Sequence, residues 1–367
     1  MKIGILTTSR GNLGEKGLYN SQEVGLAKAL SVMAESVFVY KLISSDREEY
    51  VEEVEGYKKV SVRFFPSKKL GVHGFFDMRR IDDGLDALIY FSDTQLCFPS
   101  VYRWAKKNSV KFFAYVGVLE SHSTNGLRRG IMDMLLYRSL NIYRKVNCLT
   151  KTPYVEEQLK KYGVKNTTVC PVGLDMSLIN EEITKVCASV FKKKHGYRDE
   201  DKVILFIGRM IEEKKPLQMI EVFSELIKKD ENYRLLMIGK GELESEVRME
   251  VQRRDLSSKV NLINVMPNSE VLELYRFAHV FVNLNEQEIF GMAILEAMYY
   301  NCRVIAWKAP GPSFIIEDGV SGWLVESKEE IVEKVEKPLR DAQGPHDRII
   351  DRFTWDYTAG VIGRFLN

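Results

Sequence analysis

The chain has 367 residues, long for one hydrophobic core and comfortable for two. With 45% hydrophobic and 28% charged residues it has the make-up of a soluble globular enzyme, and no apolar run reaches membrane-spanning length. The net charge of +2 hides a division: residues 1–175 carry 26 Lys+Arg against 19 Asp+Glu, a balance of +7, and the remainder has a balance of −5. Two halves of opposite sign suggest two domains with different partners.

The start, Met1-Lys-Ile-Gly-Ile-Leu6, lacks the long apolar core of a signal peptide and reads as a first strand. From there short apolar runs alternate with helical patterns, which predicts an α/β fold of parallel sheets covered on both faces. In a first domain, strands are expected at 3–7, 36–41, 87–91, 111–116, 147–150 and 168–171. A second sheet follows at 203–207, 234–238, 261–263, 280–284, 303–307 and 322–325, and a last helical segment from Phe353. No sequence repeat and no low-complexity tract interrupts this order.

The five cysteines (Cys97, Cys148, Cys170, Cys187, Cys302) are odd in number and scattered, and the five histidines are equally dispersed. That pattern argues against a zinc site or a disulfide framework. It fits reduced thiols in a cytoplasmic protein, each a small core residue.

Positive charge concentrates between Tyr57 and Lys145, where 16 Lys+Arg face 7 Asp+Glu. Lys58-Lys-Val-Ser-Val-Arg-Phe-Phe-Pro-Ser-Lys-Lys69, Phe75-Phe-Asp-Met-Arg-Arg80 and the stretch 127–145 interleave bases with aromatic or apolar residues. The last is amphipathic enough to lie on an anionic membrane surface, and it is equally a core helix with a solvated basic face. No nucleic-acid-binding motif accompanies the charge, so nucleic acid is not an expected partner.

The most informative stretch is Glu288-Ile-Phe-Gly-Met-Ala-Ile-Leu-Glu296. An apolar strand precedes it, Gly291 sits at a turn, and an apolar-faced helix follows. Backbone N–H groups at Phe290, Gly291 and Met292 would open that helix, and such an N-terminus attracts phosphate. A carboxylate on each side could take sugar hydroxyls, the shape of a nucleotide-sugar. The spacing alone proves nothing, since Glu15 and Glu23 share it, and so do Glu242 and Glu250. The strand–turn–helix setting is what singles this pair out.

Over residues 200–325 the chain resembles the retaining GT-B glycosyltransferases of family 4, the group 1 glycosyltransferases. The resemblance rests on an ordered series: Phe206-Ile-Gly-Arg-Met-Ile-Glu-Glu-Lys214, Leu235-Leu-Met-Ile-Gly-Lys-Gly-Glu242, Val260-Asn-Leu-Ile-Asn-Val-Met-Pro267, the two-Glu stretch, and Glu317-Asp-Gly-Val-Ser-Gly-Trp-Leu-Val325. It implies two Rossmann-like domains with parallel sheets facing across a donor cleft. The acceptor-side domain would comprise 1–172 plus a returning tail, 346–367, and the nucleotide-sugar domain 173–345.

By the same resemblance Arg209 and Lys214 bind the donor diphosphate, with Phe290, Gly291 and Met292 and with Gly14 and Gly17 of the first glycine loop. Lys215 and Glu286 are the neighbours that compete for the roles of Lys214 and Glu288. Glu296 would hold the ribose, the backbone of Val265 and Met266 the base, and Glu288 the transferred sugar. Two cations and a helix N-terminus make a metal unnecessary, and no cofactor is expected beyond the nucleotide-sugar itself, with UDP the expected nucleotide.

Three departures stand out. The glycine pair usual in the first loop has Leu18 as its second member. Gly117 stands where the family commonly carries a histidine, so His122 either reaches the site from the next loop or is an ordinary surface residue. Phe314 stands where a Glu often sits. The expected activity is retaining transfer of a hexose to a glycan or lipid-linked acceptor in cell-surface polysaccharide or glycolipid synthesis. It would take place in the cytoplasm with peripheral contact at the inner membrane face. The alternatives are a nucleotide-sugar epimerase, disfavoured by the few histidines, and a non-catalytic sugar-nucleotide-binding protein. A dinucleotide dehydrogenase lacks its glycine fingerprint.

Overall fold

The computed structural model describes residues 1–10, 21–93, 95–119 and 126–366, with the side chains of 126–129 and 131–132 left aside. The expected contributions of Gly14, Gly17 and His122 lie outside the described residues. The chain forms two units, one of Met1–Met176 with Thr354–Asn367, the other of Ser177–Phe353.

The first unit is built on strands β1 (Lys2–Thr7), β2 (Ser36–Ser44), β3 (Tyr50–Glu53), β4 (Val60–Leu70), β5 (His73–Phe75), β6 (Ala87–Phe91), β7 (Lys111–Val116), β8 (Asn147–Thr150) and β9 (Thr167–Val169). Their order is β3-β4-β2-β1-β6-β7-β8-β9, with β5 on β4. All pairs are parallel except those of β3 and β5 with β4. Ile3, Ile5, Val37, Val39, Ile89 and Phe113 are fully buried, which is why the central strands read as unbroken apolar runs.

Most of the basic stretch 58–69 forms the strand β4. Val60, Val62 and Phe64 go inward while Lys68 and Lys69 stay out. It carries the charge beside an apolar face, so charge and β-structure are the same feature.

The second unit has β10 (Lys202–Ile207), β11 (Tyr233–Ile238), β12 (Val260–Ile263), β13 (Val280–Asn283), β14 (Val304–Trp307) and β15 (Trp323–Val325), all parallel in the order β12-β11-β10-β13-β14-β15. Its core joins Ile204, Phe206, Leu235, Met237, Val280 and Val282 to Met219, Phe223 and Val251 from the covering helices. All twelve expected strands form, and both sheets have the doubly wound α/β architecture expected of them.

The chain returns to the first unit at Thr354, later than residue 346. The helix Gly344–Arg352 stays with the second unit, where His346 Nδ1 lies 2.6 Å from the Tyr299 carbonyl and Arg348 donates to the Phe314 carbonyl at 3.0 Å. The closing helix Trp355–Leu366 then packs on the helix Gln22–Leu30. Gly25 and Gly173 make room for it: a Cβ there would come within 2.2 Å of the Trp355 ring and 2.1 Å of its backbone nitrogen. Of the cysteines, Cys97, Cys148, Cys170 and Cys302 are buried and Cys187 is exposed, so only the first four act as small core residues.

Candidate functional site

In the second unit the loops at the carboxyl ends of β10 and β11 are laced together. Gly208 N donates to Ile238 O (3.0 Å), Met210 N to Lys240 O (2.8 Å) and Leu243 N to Met210 O (2.9 Å). A Cβ at Gly239 would lie 1.8 Å from the Gly208 carbonyl, and one at Gly241 would lie 2.1 Å from that of Met210. Only glycine permits that approach. It fixes the backbone of Arg209, whose side chain is 70% exposed and only 3.6 Å from the equally open Glu213 carboxylate. Such a surface pair is weak, so the guanidinium is available to a ligand.

Lys214 ends the turn Glu212–Lys214, and Lys215 adopts the left-handed conformation (φ 55°, ψ 48°) before Pro216 opens the next helix. This turn separates the two lysines. Lys214 Nζ donates to Glu288 Oε2 at 2.6 Å, largely buried on both sides. Lys215 pairs with Glu286 and lies 4.9 Å from the centre of the Trp307 ring. The competition between neighbouring lysines and glutamates is thereby sorted into one inner and one outer pair.

Asn285, which sequence reasoning missed, anchors the inner pair. Its Nδ2 donates to Glu288 Oε2 (3.2 Å) and its Oδ1 accepts from Gln287 N (3.0 Å). Asn283 Oδ1 in turn accepts from Asn285 N (3.0 Å). The signal was available: Asn-Leu-Asn after a buried strand is a place where short amide side chains build a turn.

Gly291 caps the helix Met292–Tyr299 with φ 106° and ψ 72°, and no side chain caps it. Among the described residues the amides of Met292 and Ala293 donate to nothing. These are orphan donors at the positive end of a helix dipole, with Glu288 and Lys214 beside them. Phe290 is buried with its ring edge-on to Phe353 (6.3 Å), and Gly311 N donates to Glu288 O at 2.8 Å. A Cβ at Gly311 would lie 2.2 Å from the Phe290 carbonyl, so the next helix is pressed against this turn. Phe314 also packs on Phe353 (5.2 Å), so it serves as an apolar prop where a carboxylate was the family expectation.

Glu296 lies farther along the same helix, buried, and accepts a hydrogen bond from Tyr275 Oη at 3.3 Å. Val265 is exposed after β12 and Met266 half-buried. Their backbone amides and carbonyls make no hydrogen bond among the described residues and remain available to a planar base. Val265, Met266, Arg209, Lys214, Glu288, Phe290, Gly291, Met292 and Glu296 thus all lie at or just beyond the carboxyl ends of strands in one sheet. Ligands of doubly wound folds bind at that edge.

One carboxylate string with metal-like spacing, Asp199-Glu-Asp201, lies at the opposite end, ahead of β10. Asp201 there is tied to Arg234 (3.0 Å) and Arg198 (3.1 Å), which makes it a structural anion. Among the described residues no group of three or more His, Cys, Asp or Glu is placed to hold a metal.

The sequence profile described as "Glycosyl transferases group 1" matches residues 189–352, almost the whole second unit. Over this segment the chain is similar to the group 1 glycosyl transferases. An alpha-monoglucosyldiacylglycerol synthase of Acholeplasma laidlawii is 26% identical over 45% of this chain and 42% of its own length. The Streptococcus pneumoniae enzyme of the same name is 20% identical over 99% of this chain and 84% of its own. The chain therefore spans under half of the first relative and most of the second. Among solved structures, Anabaena HepE in complex with UDP and glucose superposes with a TM-score of 0.73 at 15% identity, covering 100% of this chain and 99% of that one. That likeness establishes a shared fold.

If a nucleoside diphosphate binds here, Arg209→Ala and Lys214→Ala should each weaken its binding by about 1.5–3 kcal/mol, the usual worth of a charge-assisted contact. Isothermal calorimetry with UDP checks this, and unchanged affinity in both variants would place the diphosphate elsewhere.

Proposed function

We propose that this glycosyl transferase moves a hexose from a nucleoside-diphosphate-sugar, with UDP as the nucleotide, to a hydroxyl of a glycan or lipid-linked acceptor, with retention at the anomeric carbon. The observation that carries the proposal is the ion pair of Lys214 and Glu288 beside the uncapped start of the helix Met292–Tyr299, with Glu296 buried in the same helix. Phosphate fits the free amides, Lys214 and Arg209. Ribose hydroxyls fit Glu296, and hexose hydroxyls fit Glu288.

In the reaction the bond from the anomeric carbon to the diphosphate oxygen breaks and a bond to the acceptor oxygen forms on the same face. The acceptor proton passes to the departing diphosphate. Charge growing on that diphosphate is met by Lys214, Arg209 and the helix N-terminus, groups already oriented before the reaction begins. They supply the stabilisation that a divalent cation would otherwise give.

The first unit is proposed as the acceptor side, working at the cytoplasmic face of a membrane. Both relatives described above are named for a diacylglycerol glycolipid. Among the described residues no helix is long and apolar enough to cross a membrane. The β4–β5 hairpin presents Leu70 and Val72, 63% and 55% exposed, next to exposed Lys68 and Lys69. The helix Gly126–Tyr143 exposes Met134 and Tyr137. Apolar tips flanked by lysines suit an anionic leaflet, where each lysine contributes about 1 kcal/mol that salt screens.

Two outcomes test this function. Glu288→Gln is expected to fold normally and to bind UDP no more weakly than the parent, while turnover of the UDP-sugar that stabilises the parent in a thermal-shift panel falls by orders of magnitude. Parental turnover in that variant would remove Glu288 from the reaction. The protein is also expected to pellet with anionic vesicles at low salt and not at high salt, and Lys68→Glu with Lys69→Glu should reduce pelleting. Failure to pellet with anionic vesicles at low salt would point to a soluble acceptor.

A further inference from the structure

The first unit has its own charged cluster, also at the carboxyl edge of a parallel sheet. Lys151 directly follows β8, Gly117 follows β7, and Asp93 follows β6. The Lys151 backbone is fixed on both sides: its N–H donates to Val116 O (3.0 Å), and Thr152 Oγ1 caps the next helix by accepting from Val155 N (3.3 Å). Its side chain then runs across Gly117. A Cβ at residue 117 would lie 2.6 Å from Lys151 Cδ, 2.7 Å from Cε and 2.8 Å from Nζ. The lysine therefore occupies the space that a side chain on β7 would fill.

The Lys151 side chain is 13% exposed, and its ammonium makes no hydrogen bond among the described residues. Its nearest carboxylate oxygen, Asp93 Oδ2, is 3.8 Å away. The other Asp93 oxygen accepts from Gly117 N (2.6 Å) and Val118 N (3.1 Å), which holds Asp93 in place. The rings of Phe91 and Tyr115 have their centres 5.8 and 5.6 Å from Nζ. A largely buried lysine side chain with its ammonium near two rings is placed to donate to a ligand that displaces water from it.

Charge decides which ligand group suits this ammonium. On the same edge Lys41 Nζ lies 3.5 Å from Glu23 Oε2 and donates to Ser21 Oγ (2.7 Å), which itself donates to Glu23 Oε2 (2.7 Å). Burial pushes the Glu23 carboxyl up, but Lys41, Ser21 and, more weakly, Lys151 outweigh it and hold the carboxyl below its ordinary range. Two ammonium groups thus already face two carboxylates. A further anion would be repelled by Asp93 and Glu23, and a further cation by the lysines. A neutral group with acceptor oxygens suits N–H donors that make no hydrogen bond among the described residues.

We propose that Lys151 is a substrate-binding residue of the first unit, donating hydrogen bonds to a hydroxyl oxygen of a sugar or polyol from the position that a β7 side chain would otherwise hold. The inference rests on the sugar-transfer reading above, and the hydroxyl belongs either to the transferred hexose or to the acceptor.

The experiment uses the full chain and the nucleotide-sugar that the parent turns over. Parental activity establishes the sugar-transfer reading on its own, and its absence would sink that reading before Lys151 is tested. Lys151→Met keeps the stem and removes the donors. Gly117→Ala keeps the charge and pushes the stem aside.

Both variants are expected to lose about 10- to 100-fold in kcat/KM, the loss usual for one hydrogen bond from a charged donor, with unchanged UDP affinity. A rise confined to the acceptor KM assigns the hydroxyl to the acceptor. Slowed hydrolysis of the donor without acceptor assigns it to the hexose. Parental kinetics in Lys151→Met would overturn the proposal. So would a loss matched by equal loss of UDP affinity, which would mark a structural residue. Should Lys151→Met fail to fold, parental kinetics in Gly117→Ala overturn the proposal just as well.

Discussion

The second unit depends on one constraint: a helix that begins without a cap. Gly291 turns the chain into Met292–Tyr299 with no side chain to satisfy the first amides. Met292 and Ala293 are only half-buried, so their amides are open to a ligand or to water, and the surrounding structure holds the turn in place. Gly311 pressed on Phe290, the amide bonds of Asn285 and the ring contacts of Phe353 with Phe290 and Phe314 provide that enforcement. In the proposed reaction these donors would meet an anion without rearrangement as charge develops.

The lysine and the glutamate beside that helix start hold one another until a ligand comes. Lys214 is neutralised by Glu288, and Asn285 shares the same carboxylate oxygen. In the proposed reaction a diphosphate would offer Lys214 a second anion, and sugar hydroxyls would offer Glu288 donors in place of the ammonium. Such an exchange would keep both charges compensated throughout, as a largely buried pair requires. The first unit shows a comparable balance around Lys151 and Glu23, again where parallel strands end. In both units the strands deliver short loops to one edge, and the chemistry of the loops differs while the scaffold repeats.

Much of this was legible from residues alone. The apolar runs of both sheets announced parallel strands, and the two-Glu stretch announced its own strand, turn and helix, because such patterns report burial and backbone conformation directly. The β3–β5 region was not legible. There Val60 to Leu70 mixes buried alternate residues with lysines, and charge masked the period of two. Which lysine faces inward at 214–215 could not be read either, because that depends on the left-handed turn at Lys215, which no residue type there announces. The roles of Asn285 and Lys151 are tertiary. Asn285 matters because a carboxylate three residues on folds back to it, and Lys151 because a neighbouring strand ends in glycine.

The central claim is that a diphosphate sits on the amides at the start of Met292–Tyr299. Hydrogen–deuterium exchange of the full chain, followed in peptides spanning 285–298 with and without UDP, tests it directly. Slowed exchange at Met292 and Ala293 on adding UDP is the predicted result. Protection elsewhere in the second unit with those amides unchanged would contradict it.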